Sequence, residues 1–279
     1  MSVKLTTLIE DSPGDHESLV TEHGLSFFIE TDDGNLIFDT GQSAAFLRNA
    51  SFLQVYPMTA DAVVLSHGHY DHSGGFFDLT EQWDYSRPLN LYVGEGFFRP
   101  KYSRRGEALR FVGNRFTRSE LLSKNIKIHE LTARKTEIIP NVFVVTSFDR
   151  SEPLETNNPR LVFYENGMVS IDDLKDEVSV VVRVRSGIVL VVGCSHPGIM
   201  DIVGSVKKLF GLPIRAIVGG THLKEAQGER LRKAVDMLAA MENTIIGVSH
   251  CTGREAMELL EKRCSRFFHN SAGTSLMID

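Results

Sequence analysis

The chain has 279 residues, 42% of them hydrophobic, enough for a large core in one large domain or two ordinary ones. A formal charge of −6 argues against a general nucleic-acid binder, and three cysteines are too few for a disulfide framework. No run of about 18 apolar residues occurs, so no membrane span is expected; the first residues lack a signal-peptide core, which points to a cytoplasmic protein.

Short apolar runs bounded by turn residues predict strands at Val3–Ile9, 25–29 and 36–38, with Asp32-Asp33-Gly34-Asn35 as a hairpin turn between the last two. Phe38-Asp39-Thr40-Gly41 leads into a short helix ending near Ala50. The run 62–65 reads as a buried strand. Directly after it stands Ser66-His67-Gly68-His69-Tyr70-Asp71-His72, followed by Gly74 and Gly75. Ordinary folding does not require three histidines and an aspartate at such density. Imidazole nitrogen with carboxylate oxygen suits Zn²⁺ first, with Fe or Mn²⁺ as alternatives.

The stretch 76–140 reads as an irregular, basic insertion with one strand at 89–93. Between Arg99 and Arg118 lie Arg99, Lys101, Arg104, Arg105, Arg110, Arg115 and Arg118, opposed by Glu107 alone. Phe97, Phe98, Tyr102, Phe111 and Phe116 interleave with these charges. Arginine matches phosphate oxygens with paired donors, and aromatic rings stack on flat heterocycles. Arg104 and Arg105 are therefore candidate substrate residues.

Regular alternation then resumes. Strands are expected at 142–146, 161–164, 178–184 and 188–192. A helix at 198–210, a strand at 214–218, a helix at 228–241, a strand at 244–248 and a helix at 253–263 follow, with a final strand or two. Three histidines recur just after apolar strands: Gly193-Cys194-Ser195-His196, Gly219-Gly220-Thr221-His222 and Ser249-His250-Cys251. Ligands of α/β folds gather at that edge. His23 is a candidate to border the pocket; His16, His129 and His269 lack the context. Cys194 and Cys251 read as small packing residues that cross-link only if they approach closely. Asp172, Asp173, Asp176 and Glu177 read as a solvated acidic turn. No linker divides the halves, so a single domain spanning 1–279 is expected.

The His-x-His-x-Asp-His run at 67–72, Asp39 and the later single histidines resemble the metallo-β-lactamase superfamily. Glu22-His23-Gly24-Leu25-Ser26, Gly193-Cys194-Ser195-His196-Pro197-Gly198 and His250-Cys251-Thr252-Gly253 resemble more closely its subfamily named for dihydropterin-6-yl-methyl-(ribofuranosyl)aminobenzene 5′-phosphate synthase. The resemblance implies an α/β fold, an αββα sandwich of two mixed sheets with helices outside. It implies one or two Zn²⁺ per chain, the first on His67, His69 and His196. The second falls to Asp71, His72 and His250, with His222 completing or bordering it and Asp39 orienting a ligand or water. Most dinuclear members bridge the two ions with an aspartate between the equivalents of His196 and His250. Here that strand end offers His222, and Asp201 lies in the following turn or helix. Lacking that negative charge, the second ion is expected to bind more weakly.

The chemistry that follows is hydrolysis, with a metal-bound hydroxide attacking a carbonyl or phosphorus centre. Asp71 would take a proton and His222 would give one to the leaving group. The expected substrate is a phosphorylated, ring-containing small molecule. The alternatives are a synthase-type transferase of the pterin kind and a non-catalytic metal-binding or sensing protein.

Overall fold

The computed structural model describes residues 1–15 and 17–279; His16, which the sequence leaves without the strand-end context, lies outside the described residues. In chain order come β1 (Val3–Ile9), β2 (Ser26–Thr31), β3 (Gly34–Phe38), α1 (Ala45–Phe52), β4 (Ala62–Val64), the one-turn α2 (Tyr70–Ser73), α3 (Phe76–Gln82) and β5 (Leu89–Gly94). Next are β6 (Lys101–Arg105), β7 (Ala108–Phe111), α4 (Arg118–Ser123), β8 (Ile126–Leu131), β9 (Lys135–Ile139) and β10 (Val142–Val145). Then come β11 (Leu161–Glu165), β12 (Met168–Ile171), β13 (Ser179–Val184), β14 (Gly187–Val192), α5 (Ile199–Phe210) and β15 (Ile214–Gly220). The chain closes with α6 (Gly228–Ala239), β16 (Ile245–Ser249), α7 (Arg254–Arg263), β17 (Phe267–His269) and β18 (Ser275–Ile278).

Two seven-stranded mixed sheets form, ordered β18-β1-β2-β3-β4-β5-β8 and β17-β16-β15-β14-β13-β10-β9. Strand periodicity sorts their side chains. In β13 and β14, Val180, Val182, Val189 and Val191 face inward, where they meet Phe27, Ile29, Leu36 and Phe38 of the other sheet. Val181, Ile188, Leu190 and Val192 face outward and are covered by Ile202, Val206, Val235 and Leu260 of α5, α6 and α7. Phe28, Ile37, Val63 and Leu91 face out of the first sheet onto Phe46, Leu79 and Leu121. This is the expected αββα sandwich. No described helix is long and apolar enough to cross a membrane.

The stretch 76–140 is more regular than the sequence suggests. It carries α3, α4 and strands β5 to β9. β6 and β7 form a hairpin in which Arg105 pairs with Ala108, so Gly106 and Glu107 make the two-residue turn. Gly106 has φ +60°, which a glycine adopts without strain. With β11 and β12 this hairpin forms a third, four-stranded sheet. β11 is the strand expected at 161–164, whereas β6 is polar and β7 and β12 are largely exposed, which hides them from a reading based on buried apolar runs.

The acidic run is not a solvated turn. Asp172, Asp176 and Glu177 are buried. Lys101 Nζ, also buried, donates to Asp172 at 2.7 Å and to Asp176 at 2.9 Å. Asp176 also accepts from the Gly68 amide at 2.7 Å, bracing the loop between His67 and His69. Lys101 is thus a structural cation.

Candidate metal centre

β3, β4, β14, β15 and β16 all end at one edge of the sandwich, because the pairs β3–β4, β14–β15 and β15–β16 run parallel. β1 runs antiparallel to β2, and β2 to β3, so β1 ends there too. The residues following these strands are Glu10 and Asp11, Asp39, Ser66 to His72, Cys194 to His196, His222 and His250. Four of them, Asp39, Ser195, His222 and His250, adopt left-handed backbone with φ between 50° and 60°. Such strain in non-glycine residues gathers where function fixes a side chain.

One ligand atom from each of His67, His69 and His196 lies within 4.8 Å of the other two. Asp71, His72 and His250 meet the same test. All six residues are buried. Hydrogen bonds fix which ring nitrogen faces inward. His72 Nδ1 donates to Asp39 Oδ2 at 2.6 Å, and His250 Nδ1 donates to Asp11 Oδ1 at 2.6 Å. Ser66 Oγ lies 2.9 Å from His67 Nδ1. His67 Nε2, His69 Nε2, both nitrogens of His196 and His250 Nε2 are left buried without a hydrogen-bond partner among the described residues. Buried polar atoms are ordinarily paired. Orphaned nitrogens that converge on one another are what a cation-binding site offers when its ligands are preformed, so the donor set fits divalent metal of the Zn²⁺ kind.

The charges of the first set and of Asp71 agree with that fit. Burial pushes the His67, His69 and His196 imidazoles down, His69 to about 3, so their lone pairs are free at neutral pH. Burial opposes ionisation of Asp71, but His250, His72 and His69 outweigh it and hold its carboxyl well below the usual range. Asp71 is therefore better suited to hold a cation than to accept a proton. Burial also opposes charge on His250, yet Asp11 and Asp71 raise its imidazole well above the ordinary value.

The other candidates fall in different places. His222 lines the cavity, its ring centroid 4.4 Å from that of His196, with both nitrogens unpartnered among the described residues. It groups with Cys194 and Cys251 and not with Asp71, His72 and His250. His23 lines the same cavity, with Nε2 3.3 Å from Asp71 Oδ2. Asp201 is buried in α5, where it accepts from the amides of Ser151 and Glu152, away from the cluster. Cys194, buried just after β14, has its Sγ 3.1 Å from His72 Nε2. Asp11, Glu10 and Cys194 were not singled out as site residues, although each follows an apolar strand just as the histidines do. Glu10 accepts from the His250 amide at 2.6 Å.

The cluster opens into a cavity of ≈ 440 Å³ walled on one side by the third sheet. Arg105, Arg110, Arg160 and Lys224 line it. Arg104 does not: residues alternate along β6, and Ser103 and Arg105 take the cavity side. Arg160 is paired with Glu225, Arg99 with Glu165 and Arg118 with Glu130. The aromatic residues of 97–118 are not the cavity's stacking surface either. Phe97 and Phe116 are core residues, and Tyr102 packs on Phe111 and Tyr164. Tyr70 is the aromatic ring that lines the cavity.

The family model described as the metallo-beta-lactamase superfamily matches residues 20–129. A crystal structure of Tm1679, a metal-dependent hydrolase of the beta-lactamase superfamily, superposes with a TM-score of 0.82 at 28% identity, covering 98% of each chain. Residues 20–129 thus carry a metallo-β-lactamase superfamily domain, and the chain as a whole has that superfamily's fold. Within that superfamily it is similar to 7,8-dihydropterin-6-methyl-4-(beta-D-ribofuranosyl)-aminobenzene-5′-phosphate synthase of Methanocaldococcus jannaschii. The two are 29% identical over 272 residues, 91% of this chain and 89% of that protein. Zn²⁺-bound PqqB from Methylobacterium extorquens shares the fold, with a TM-score of 0.54 at 13% identity. Metallo-β-lactamase superfamily proteins typically bind metal ions, and the convergent histidines are the candidate ligands here.

Proposed function

We propose that this metallo-β-lactamase-fold protein is a metal-dependent hydrolase of a phosphorylated, ring-containing small molecule. One observation carries the reading: unpartnered, buried histidine nitrogens converge at the floor of a cavity whose wall presents arginines. His67, His69 and His196 would hold one cation, and Asp71, His72 and His250 a second. Divalent metal supplies Lewis acidity and makes water acidic enough to ionise near neutral pH.

The chain's own residues do the rest. Asp39 and Asp11 each hold a histidine by its Nδ1, so that Nε2 points inward. Arg105 and Arg110 have no carboxylate partner among the described residues and stand ready for phosphate oxygens. Tyr70, which lines the cavity, would pack against a flat substrate. His222 lines the cavity wall with neither ring nitrogen hydrogen-bonded among the described residues, and would give a proton to a departing group.

The similarity to the M. jannaschii synthase favours a second reading. That protein's name joins a pterin, an aminobenzene ring and a ribose phosphate, which is the substrate chemistry the cavity suits, but it denotes bond formation. Turnover in oxygen-18 water separates the two. The metal-loaded protein is expected to cleave a phosphorylated pterin or aryl riboside with label in one product. Condensation with no solvent oxygen incorporated supports the synthase. A metal-loaded protein inactive in both assays contradicts both and leaves metal binding or sensing.

A further inference from the structure

Cys194 lies between the two histidine sets. Its Sγ is 3.1 Å from His72 Nε2. One ligand atom each from His67, His72 and Cys194 fall within 4.8 Å of one another. His67 belongs to the first set and His72 to the second, so the sulfur neighbours a nitrogen of each. His67 Nε2 is buried and has no hydrogen-bond partner among the described residues. Two ligands of a tetrahedral zinc, one sulfur and one nitrogen, stand roughly 3.5 Å apart given their usual bond lengths. The His72–Cys194 spacing is close to that.

The fold holds the sulfur there by close packing. A Cβ on Gly193 would come within 2.2 Å of Ser66 Oγ, so the end of β14 can approach the His67 loop only because residue 193 is glycine. Cys251 is differently placed. Its sulfur is occupied on both sides, donating to the Cys194 carbonyl at 3.4 Å and accepting from the His222 amide at 3.2 Å.

We propose that Cys194 is a thiolate ligand shared by the two cations, in the bridging role that an aspartate plays in other dinuclear members. The inference rests on the metal-dependent reading above. It replaces the expectation of a weak second ion, because the thiolate supplies the negative charge that neutral His222 does not. On binding, the Cys194 S–H bond breaks, the proton passes to solvent and the sulfur lone pairs go to the cations. A sulfur donor also shifts preference toward zinc-like metals and away from Mg²⁺ or Ca²⁺.

The test is cobalt substitution of the full chain, read by absorption and metal content. Wild type and Cys251→Ser are expected to show the near-ultraviolet thiolate-to-cobalt charge-transfer band with two cobalt ions per chain. Cys194→Ser is expected to lose the band and one of the ions. Cys194→Asp is expected to regain the second ion without the band, which distinguishes a lost ligand from a lost fold. The proposal is overturned if Cys194→Ser keeps the band, or if Cys251→Ser alone abolishes it. A Cys194–Cys251 disulfide in the metal-loaded protein overturns it too. Two bound cobalt ions without a charge-transfer band overturn the thiolate and leave the hydrolase reading standing. A wild-type chain that binds no cobalt overturns both.

Discussion

Asp39 Oδ2 accepts a hydrogen bond from His72 Nδ1 at 2.6 Å, while its Oδ1 accepts from the Ser66 amide at 2.6 Å. One buried carboxylate thereby ties the end of β3 to the histidine loop and fixes the tautomer of His72. Asparagine tolerates the left-handed backbone of residue 39, so Asp39→Asn isolates the charge. It is expected to weaken the second cation roughly 10–100-fold and leave the first nearly unchanged. Chelator competition measures both affinities; equal loss from the two would assign Asp39 a general structural role.

Acid should destabilise the metal-free protein through its buried histidines. His67, His69 and His196 titrate below the unfolded value of about 6.5, His69 at about 3. Their stability is fully present above about pH 6.5 and is lost as pH falls toward the folded values. Each adds a slope of about 1.4 kcal/mol per pH unit in that window. His250, raised by Asp11 and Asp71 against burial, keeps its contribution below about pH 6.5 and loses it only as pH rises above that, so it does not oppose the three in this window. Melting of chelator-stripped protein should fall from pH 7 to pH 5, and a flat profile would contradict the buried neutral set.

Arg105 and Arg110 line the cavity and Arg104 does not. Arg105→Ala and Arg110→Ala should each raise KM for a phosphorylated substrate several-fold, with kcat and metal content little changed. Arg104→Ala should leave KM alone. Equal effects at all three would point to general electrostatics instead of direct contact.

Lys101 is the buried partner of two buried carboxylates. Lys101→Met leaves both uncompensated and should cost roughly 3–5 kcal/mol in urea unfolding. A loss under about 1 kcal/mol, the range of exposed pairs, would show that the network is dispensable.

The legible parts of the sequence were those whose signal is local. Val180 to Val182 and Ile188 to Val192 announce their strands by apolar runs, and the three late histidines announce themselves by following such runs. The third sheet was hidden because β6, Lys-Tyr-Ser-Arg-Arg, is polar and pairs with β11, far along the chain. The burial of Lys101 and Asp176 was hidden for a related reason. Each looks solvated alone, and only the fold brings them to 2.9 Å. Cys194 and Asp11 carried the strand-end signal, but small thiols and turn aspartates are common enough that proximity alone reveals their part.

The central claim is that two histidine sets at one sandwich edge hold the metal. Elemental analysis of the purified chain tests it most directly, beside His69→Ala/His196→Ala and His72→Ala/His250→Ala. Two divalent ions per wild-type chain, with each double variant losing the ion of its own set, is the predicted result. A wild-type chain without metal, or variants that retain both ions, would contradict the account.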